Sequence, residues 1–230
     1  IGDGIALDDG DADGAADGAA IDGGRVASVG NIVHEGLRNL EYRGYDSAGV
    51  ALVGETSGLT VAKRSGEVDN LTVPDVPDAT LGVGHTRWST HGPPTDANAH
   101  PHTDCAGDVA VVHNGIVENH EELKAELSNH EFTSDTDTEV IPHLIEEELA
   151  AESGADDLLD AVRTVEDRLE GSYAICAVRE GDDRIVVARR GSPLVLGRDD
   201  DTTFVASDVT AFLEHTRDVT YLEDGDVAAL

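Results

Sequence analysis

Apolar residues in this chain recur with two different periods, and the period switches along its length. Ile32, Val33, Leu37 and Leu40 follow helical spacing from Asn31, and the pattern runs out at Tyr42-Arg43-Gly44. Ser47 to Val53 and Leu59 to Lys63 read as neighbouring strands around a glycine-bearing turn. Leu81-Gly82-Val83-Gly84 and Val109-Ala110-Val111-Val112 read as short buried strands. Helical spacing returns over 119–129, 137–150 and 156–169, the second opened by a capping box, Thr136-x-x-Glu139. From Ser172 onward only short strands follow, at 172–179, 184–189, 193–197, 202–206, 218–222 and 226–230. Strands, then helices, then strands predict an α+β layered domain rather than a doubly wound sheet. Ahead of them, residues 3–30 are Asp, Gly and Ala almost throughout, a composition that opposes ordering and predicts a flexible acidic excursion.

The densest polar chemistry is Gly84-His85-Thr86-Arg87-Trp88-Ser89-Thr90-His91-Gly92. So polar a run between glycines reads as a loop at the end of the 81–84 strand, where binding residues concentrate. Arg87 presents a planar fork suited to a small carboxylate, and Trp88 suits a lid or aromatic wall. Asn114-Gly115 after a buried strand reads either as a tight turn or as an oxyanion hole, an Asn amide beside a glycine N–H. Ser134 to Glu139 opens a helix, so an aspartate there either serves the helix terminus or holds an ammonium. Five histidines fall between His85 and His113, and His100-Pro101-His102 with Asp96 or Asp104 leaves a metal-dependent hydrolase as a rival reading. No ligand pair sits at helical spacing on a helix there, so no metal and no cofactor is expected. Cys105 reads as an exposed loop thiol and Cys176 as a buried structural one, without metal-type spacing.

Charge changes the picture further. The chain of 230 residues carries 48 acidic and 15 basic residues, a net −33, yet is 39% hydrophobic. Acids spread over the whole length suit a protein of a high-salt cytoplasm, where salt screens their repulsion. Without a basic stripe, nucleic acid is not an expected partner. Without eighteen consecutive apolar residues or a signal-type start, neither is a membrane. The length suits one large domain.

Taken together, several segments resemble a known family. They are Glu41 to Gly49, His85 to Gly92, Asn98 to His102, Val112 to Asn119 and Ser134 to Glu139, extended by Gly191-Ser192-Pro193-Leu194 and Ala206-Ser207-Asp208. They resemble, in colinear order over residues 31–230, the glutaminase (class II glutamine amidotransferase) domain of the glutamine–fructose-6-phosphate aminotransferases, haloarchaeal type. The resemblance implies an N-terminal-nucleophile hydrolase fold, a four-layer αββα sandwich, here as a single domain over 1–230 without the sugar isomerase domain. It implies that Arg87 holds the α-carboxylate of glutamine and Asp137 its ammonium, and that Asn114 and Gly115 form the oxyanion hole. Trp88, Thr90 and His91 would belong to a closing loop, and Arg43 would lie near the nucleophile. Ammonia would pass to the isomerase domain of a full-length homodimeric enzyme. The family's nucleophile is a cysteine at the start of the mature chain, whereas this sequence opens with Ile1-Gly2-Asp3-Gly4, which resembles the tail of the family's first strand. The chain as written is therefore expected to be inactive. A pseudoenzyme that only binds glutamine or glutamate is the alternative.

Overall fold

Side-chain alternation sorts the apolar residues onto the faces of two antiparallel sheets. The computed structural model describes residues 3–8, 28–151, 154–200 and 202–230, with the backbone alone for 3–8 and Arg43. In chain order the elements are β1 (Asp3–Asp8), α1 (Val29–Leu40), β2 (Ser47–Gly54), β3 (Gly58–Ser65), β4 (Ala79–Arg87) and β5 (His102–Thr103). Then come β6 (Val109–Val117), α2 (His120–Glu126), α3 (Val140–Ala150), α4 (Leu158–Glu166), β7 (Gly171–Arg179) and β8 (Val186–Arg190). The last four are β9 (Val195–Arg198), β10 (Thr203–Ala206), β11 (Asp218–Tyr221) and β12 (Val227–Ala229). One sheet runs β11-β9-β10-β1-β4-β2-β3 and the other β12-β8-β7-β6-β5.

Three apolar layers hold four layers of secondary structure together. On β2, Ala48, Val50 and Leu52 face Val33, Leu37 and Leu40 of α1. Its alternate residues Ala51 and Val53 face the second sheet, against Val112 of β6 and Cys176 of β7. The far face of that sheet, with Val111, Ile175 and Val186, packs on Leu144 and Ile145 of α3 and Val162 of α4. The order helix, sheet, sheet, helices is the αββα sandwich expected. Packing outweighs local signals here: each fully buried Val or Leu contributes about 1.5–3 kcal/mol. The Ser28 cap, whose Oγ accepts from the Asn31 N–H, contributes about 1 kcal/mol.

Four expectations need correction. The acidic excursion does not start at residue 3, because Asp3–Asp8 form β1, paired on one side with β10 and on the other with β4. Mid-sheet hydrogen bonding outweighs the weak strand propensity of this Gly- and Asp-bearing run, and no sheet edge is left open there. Residues 9–27 lie outside the described set. The polar stretch from Gly84 is not yet loop: β4 continues through Arg87, with His85, Thr86 and Arg87 all buried. Asn114-Gly115 is not a turn either, since β6 runs on to Val117 and pairs Ile116 and Val117 with Ser172 and Gly171. The capping box does not form. Helix α3 begins at Val140, and the Glu139 carboxylate instead accepts hydrogen bonds of 2.6–2.8 Å from Thr133 and Ser134.

Gly82 and Gly84 let α1 lie close on β4. A Cβ at Gly84 would stand 2.6 Å from Val33 Cγ1, and one at Gly82 2.7 Å from Val29 Cγ1. Gly84→Ala is expected to destabilise the chain by about 1–3 kcal/mol, the range for overpacking. Denaturant unfolding in molar KCl reads this, and an unchanged midpoint would disprove the tight seat.

Candidate active site

Strands β4 and β6 lie in different sheets, and their polar ends meet. On β4 the alternation that turns Leu81 and Val83 inward continues with His85 and Arg87, so the apolar inter-sheet layer ends in an imidazole and a guanidinium. From β6, the Asn114 side-chain oxygen lies 3.0 Å from His85 Nε2, and the His113 carbonyl 3.1 Å from it. Both oxygens are acceptors, so Nε2 carries the proton, and this sets the Asn114 amide with its NH2 turned away from His85. Gly115 has φ +132°, and a Cβ there would run into the Ser172 carbonyl oxygen. The backbone turns out of regular strand geometry at the position the cleft needs.

The cleft is lined by His85 and Arg87 from one sheet, by Trp88 and Thr90 from the loop that follows β4, and by His113 and Gly115 from the other sheet. His100 and the segment Thr136 to Thr138 complete the wall. Asp137 is buried; one oxygen accepts from the Val117 N–H at 2.8 Å and the other lies 3.7 Å from His91 Nδ1. The Arg87 guanidinium donates to Ser89 Oγ at 3.1 Å and to the carbonyls of His91, Gly92 and Pro93. Burial draws its pKa below the ordinary value, while Asp46 and Asp137 hold it up. The same loop is anchored by the Ser89 N–H on Asp46 at 2.8 Å and by Asn98 Nδ2 on the Pro93 carbonyl at 3.0 Å. Trp88 is 52% exposed at the mouth.

Beneath this lies a column of buried imidazoles. His85 and His100 have ring centroids 4.1 Å apart, and His100 and His102 4.8 Å. His102 Nε2 is 3.1 Å from Thr136 Oγ1, and His113 Nδ1 2.8 Å from Thr138 Oγ1. Burial drives the His85 pKa down to about 3 and those of His100 and His102 well below the ordinary value. These rings stay neutral. They do not form the metal centre entertained from the His-Pro-His spacing: His102 faces Thr136, Asp96 accepts from Ser65 and Asp104 from Val109.

The structure thus brings together Arg87, Trp88, Thr90, His91, Asn114, Gly115 and Asp137, whereas the side chain of Arg43 lies outside the described set. Sequence reading gave His85, His113 and Thr138 no role in this wall, although strand parity pairs His85 with Arg87 on β4 and His113 with Gly115 on β6. Cys176 is buried, its thiol pushed up to about 12 by desolvation, and Cys105 is exposed; neither lines the cleft.

Residues 85–214 match the family model described as a glutamine amidotransferase domain. The chain belongs to that family. Among its relatives, the glutamine–fructose-6-phosphate aminotransferase [isomerizing] of Halobacterium salinarum is 63% identical over 88% of this chain. That of Streptomyces coelicolor is 52% identical over 87%. The chain spans about a third (33%) of the length of each. The glutamine phosphoribosylpyrophosphate amidotransferase of B. subtilis, solved with ADP and GMP, superposes with a TM-score of 0.73. It is 25% identical and matches 99% of this chain and 46% of its own. A glutamine amidotransferase structure from Pseudomonas aeruginosa, 15% identical with a TM-score of 0.52, covers 100% of this chain and 93% of its own and shares the fold. This glutamine amidotransferase domain therefore has the N-terminal-nucleophile hydrolase architecture that its motifs imply. Among the described residues no helix is long and apolar enough to cross a membrane.

Neutral buried histidines make the domain acid-sensitive. Unfolded, each takes up a proton below about pH 6.5; folded, His85, His100 and His102 do not. The unfolded state binds more protons in that window, so stability falls as pH falls. Between about pH 7.5 and 5.5 the expected loss is about 1 kcal/mol per histidine. Denaturant midpoints in molar KCl, which screens the carboxylates, would measure it; a flat profile would argue against the neutral column.

Proposed function

We propose that this domain hydrolyses glutamine to glutamate and ammonia, and that in the full-length enzyme the ammonia serves to make glucosamine 6-phosphate from fructose 6-phosphate. The observation that carries the reading is the meeting of an arginine, an aspartate and an Asn-Gly pair around one cleft. Two opposite charges from different segments suit the α-carboxylate and α-ammonium of an amino acid. An amide NH2 and a distorted glycine suit the oxygen of its side-chain amide.

Arg87 binds the α-carboxylate and Asp137 the ammonium. Arg87 spends its donors on the carbonyls of His91, Gly92 and Pro93. Substrate therefore exchanges with these carbonyls, and the loop of Trp88, Thr90 and His91 resets over the ligand. Asn114 Nδ2, aimed by His85, and the Gly115 N–H stabilise the oxyanion as the amide carbonyl is attacked. The nucleophile is a cysteine ahead of β1, with its own α-amino group as base and Arg43 nearby. The strand register supports this: Asp3, the first described residue of β1, pairs with Thr86, the neighbour of Arg87 on β4. Thiolate attack on the amide carbon gives a thioester and releases ammonia, and water then releases glutamate. The rest of the reading is a cytoplasmic homodimer, with 1–230 as one glutaminase domain beside an isomerase domain.

Two experiments test this. In the full-length protein in molar KCl, Asn114→Ala is expected to lower kcat by about 10²–10³-fold with KM little changed. A loss confined to KM would remove the oxyanion role. The 230-residue chain is expected to bind glutamate without glutamine turnover, and to gain turnover when a cysteine-led segment precedes it. Turnover without that segment would overturn the terminal nucleophile. A folded, processed extension that stayed inactive would favour a binding-only domain.

A further inference from the structure

Away from the cleft, three segments place four metal-binding side chains around one point. Cys105 follows β5, His130 lies between α2 and α3, and His143 and Glu146 stand one turn apart on α3. Their donor atoms all lie within 4.8 Å of one another. Cys105 Sγ is 3.5 Å from His130 Nδ1 and 3.7 Å from His143 Nδ1. Glu146 Oε2 is 3.1 Å from His130 Nδ1 and 3.5 Å from His143 Nδ1. A tetrahedron with Zn–S of about 2.3 Å and Zn–N or Zn–O of about 2.0–2.1 Å has edges of about 3.3–3.6 Å. Four of the six edges, at 3.1–3.7 Å, lie close to those values, and the other two are within 4.8 Å.

We propose that Cys105, His130, His143 and Glu146 bind one Zn²⁺ ion in a closed, structural site. One thiolate, two imidazoles and one carboxylate suit a borderline-soft cation, whereas Mg²⁺ and Ca²⁺ require oxygen donors. Thiolate and carboxylate together balance the ion's charge. A supporting shell is in place. His130 Nε2 lies 3.4 Å from Glu147 Oε1, the carboxylate–imidazole–metal arrangement that fixes a ligand's tautomer. The Cys105 N–H donates to Glu146 Oε2 at 3.1 Å, and the Phe132 ring covers His143 edge-on with centroids 4.8 Å apart. Four protein ligands leave no open position, so the ion is a clamp and not a catalyst. It ties the loop after β5 to α3, and it pins the segment that runs from His130 to Asp137 in the cleft. The ligands come from three separated stretches, so no spacing motif in the sequence reveals them.

Zinc content of the full-length protein, expressed in zinc-supplemented medium and dialysed, is the first measurement. Wild type is expected to hold about one more zinc per chain than Cys105→Ser/His130→Gln, with both folded by circular dichroism. Cobalt(II) added to metal-free wild type is expected to give sulfur-to-cobalt charge transfer and the intense visible bands of a tetrahedral ion. Glu147→Gln keeps all four ligands and is expected to weaken zinc binding about 10–100-fold. Equal zinc in wild type and a folded double variant would overturn the site. So would a wild-type cobalt spectrum without the sulfur band, whatever the variant's folding.

Discussion

The cleft depends on two sheets packing face to face while one end of their interface is polar. Along most of that interface Val, Leu, Ile and Ala fill the space. At the end where β4 meets β6, imidazoles and a guanidinium take their place, all buried. Charged groups there would each cost several kcal/mol of desolvation. The structure avoids this in two ways. The histidines give up their charge, and Arg87, which keeps its own, is supplied with backbone carbonyls from the loop it organises. Asp137 is held by a backbone N–H of β6. Arg87 and Asp137 are thus positioned by the hydrogen bonds that make their burial tolerable.

That arrangement explains why two glycines matter more than their size suggests. Gly84 seats α1 on β4, which fixes the strand carrying His85 and Arg87. Gly115 allows β6 to leave regular geometry beside Asn114 while remaining paired to β7. Helix packing on the outside of one sheet and a distorted strand in the other are therefore coupled at the site.

The acidity belongs to the surface. Among the described residues the buried carboxylates are few, and each has partners: Glu139 on Thr133 and Ser134, Glu166 on Arg190 and Tyr173, Asp104 on Val109. The exposed pairs, such as Arg38 with Asp69 and Arg163 with Asp160, are each worth about 0–1 kcal/mol and cannot offset a net −33. Screening by salt has to do that, in keeping with 63% identity to a Halobacterium relative.

Most of the elements were legible in the sequence because period and composition are local properties. The α1 stripe and the strands from β6 onward each carry their own signal, as do the colinear motifs that mark the family. Where local signals misled, a partner decided. Gly- and Asp-rich β1 is a strand because β4 and β10 flank it. Glu139 folds back on Thr133 and Ser134 instead of capping α3, because that loop has to carry Asp137 to the cleft. His85 looked like loop chemistry and is a mid-sheet residue, since polarity along a chain does not say which groups will find partners. By itself the sequence determined the α+β layering and the family, and it pointed to several of the residues that line the cleft. Only the tertiary structure decided which histidines are neutral, how Asn114 is aimed, and that Cys105, His130, His143 and Glu146 converge. Those outcomes depend on distances between segments far apart in the chain, and no local pattern encodes them.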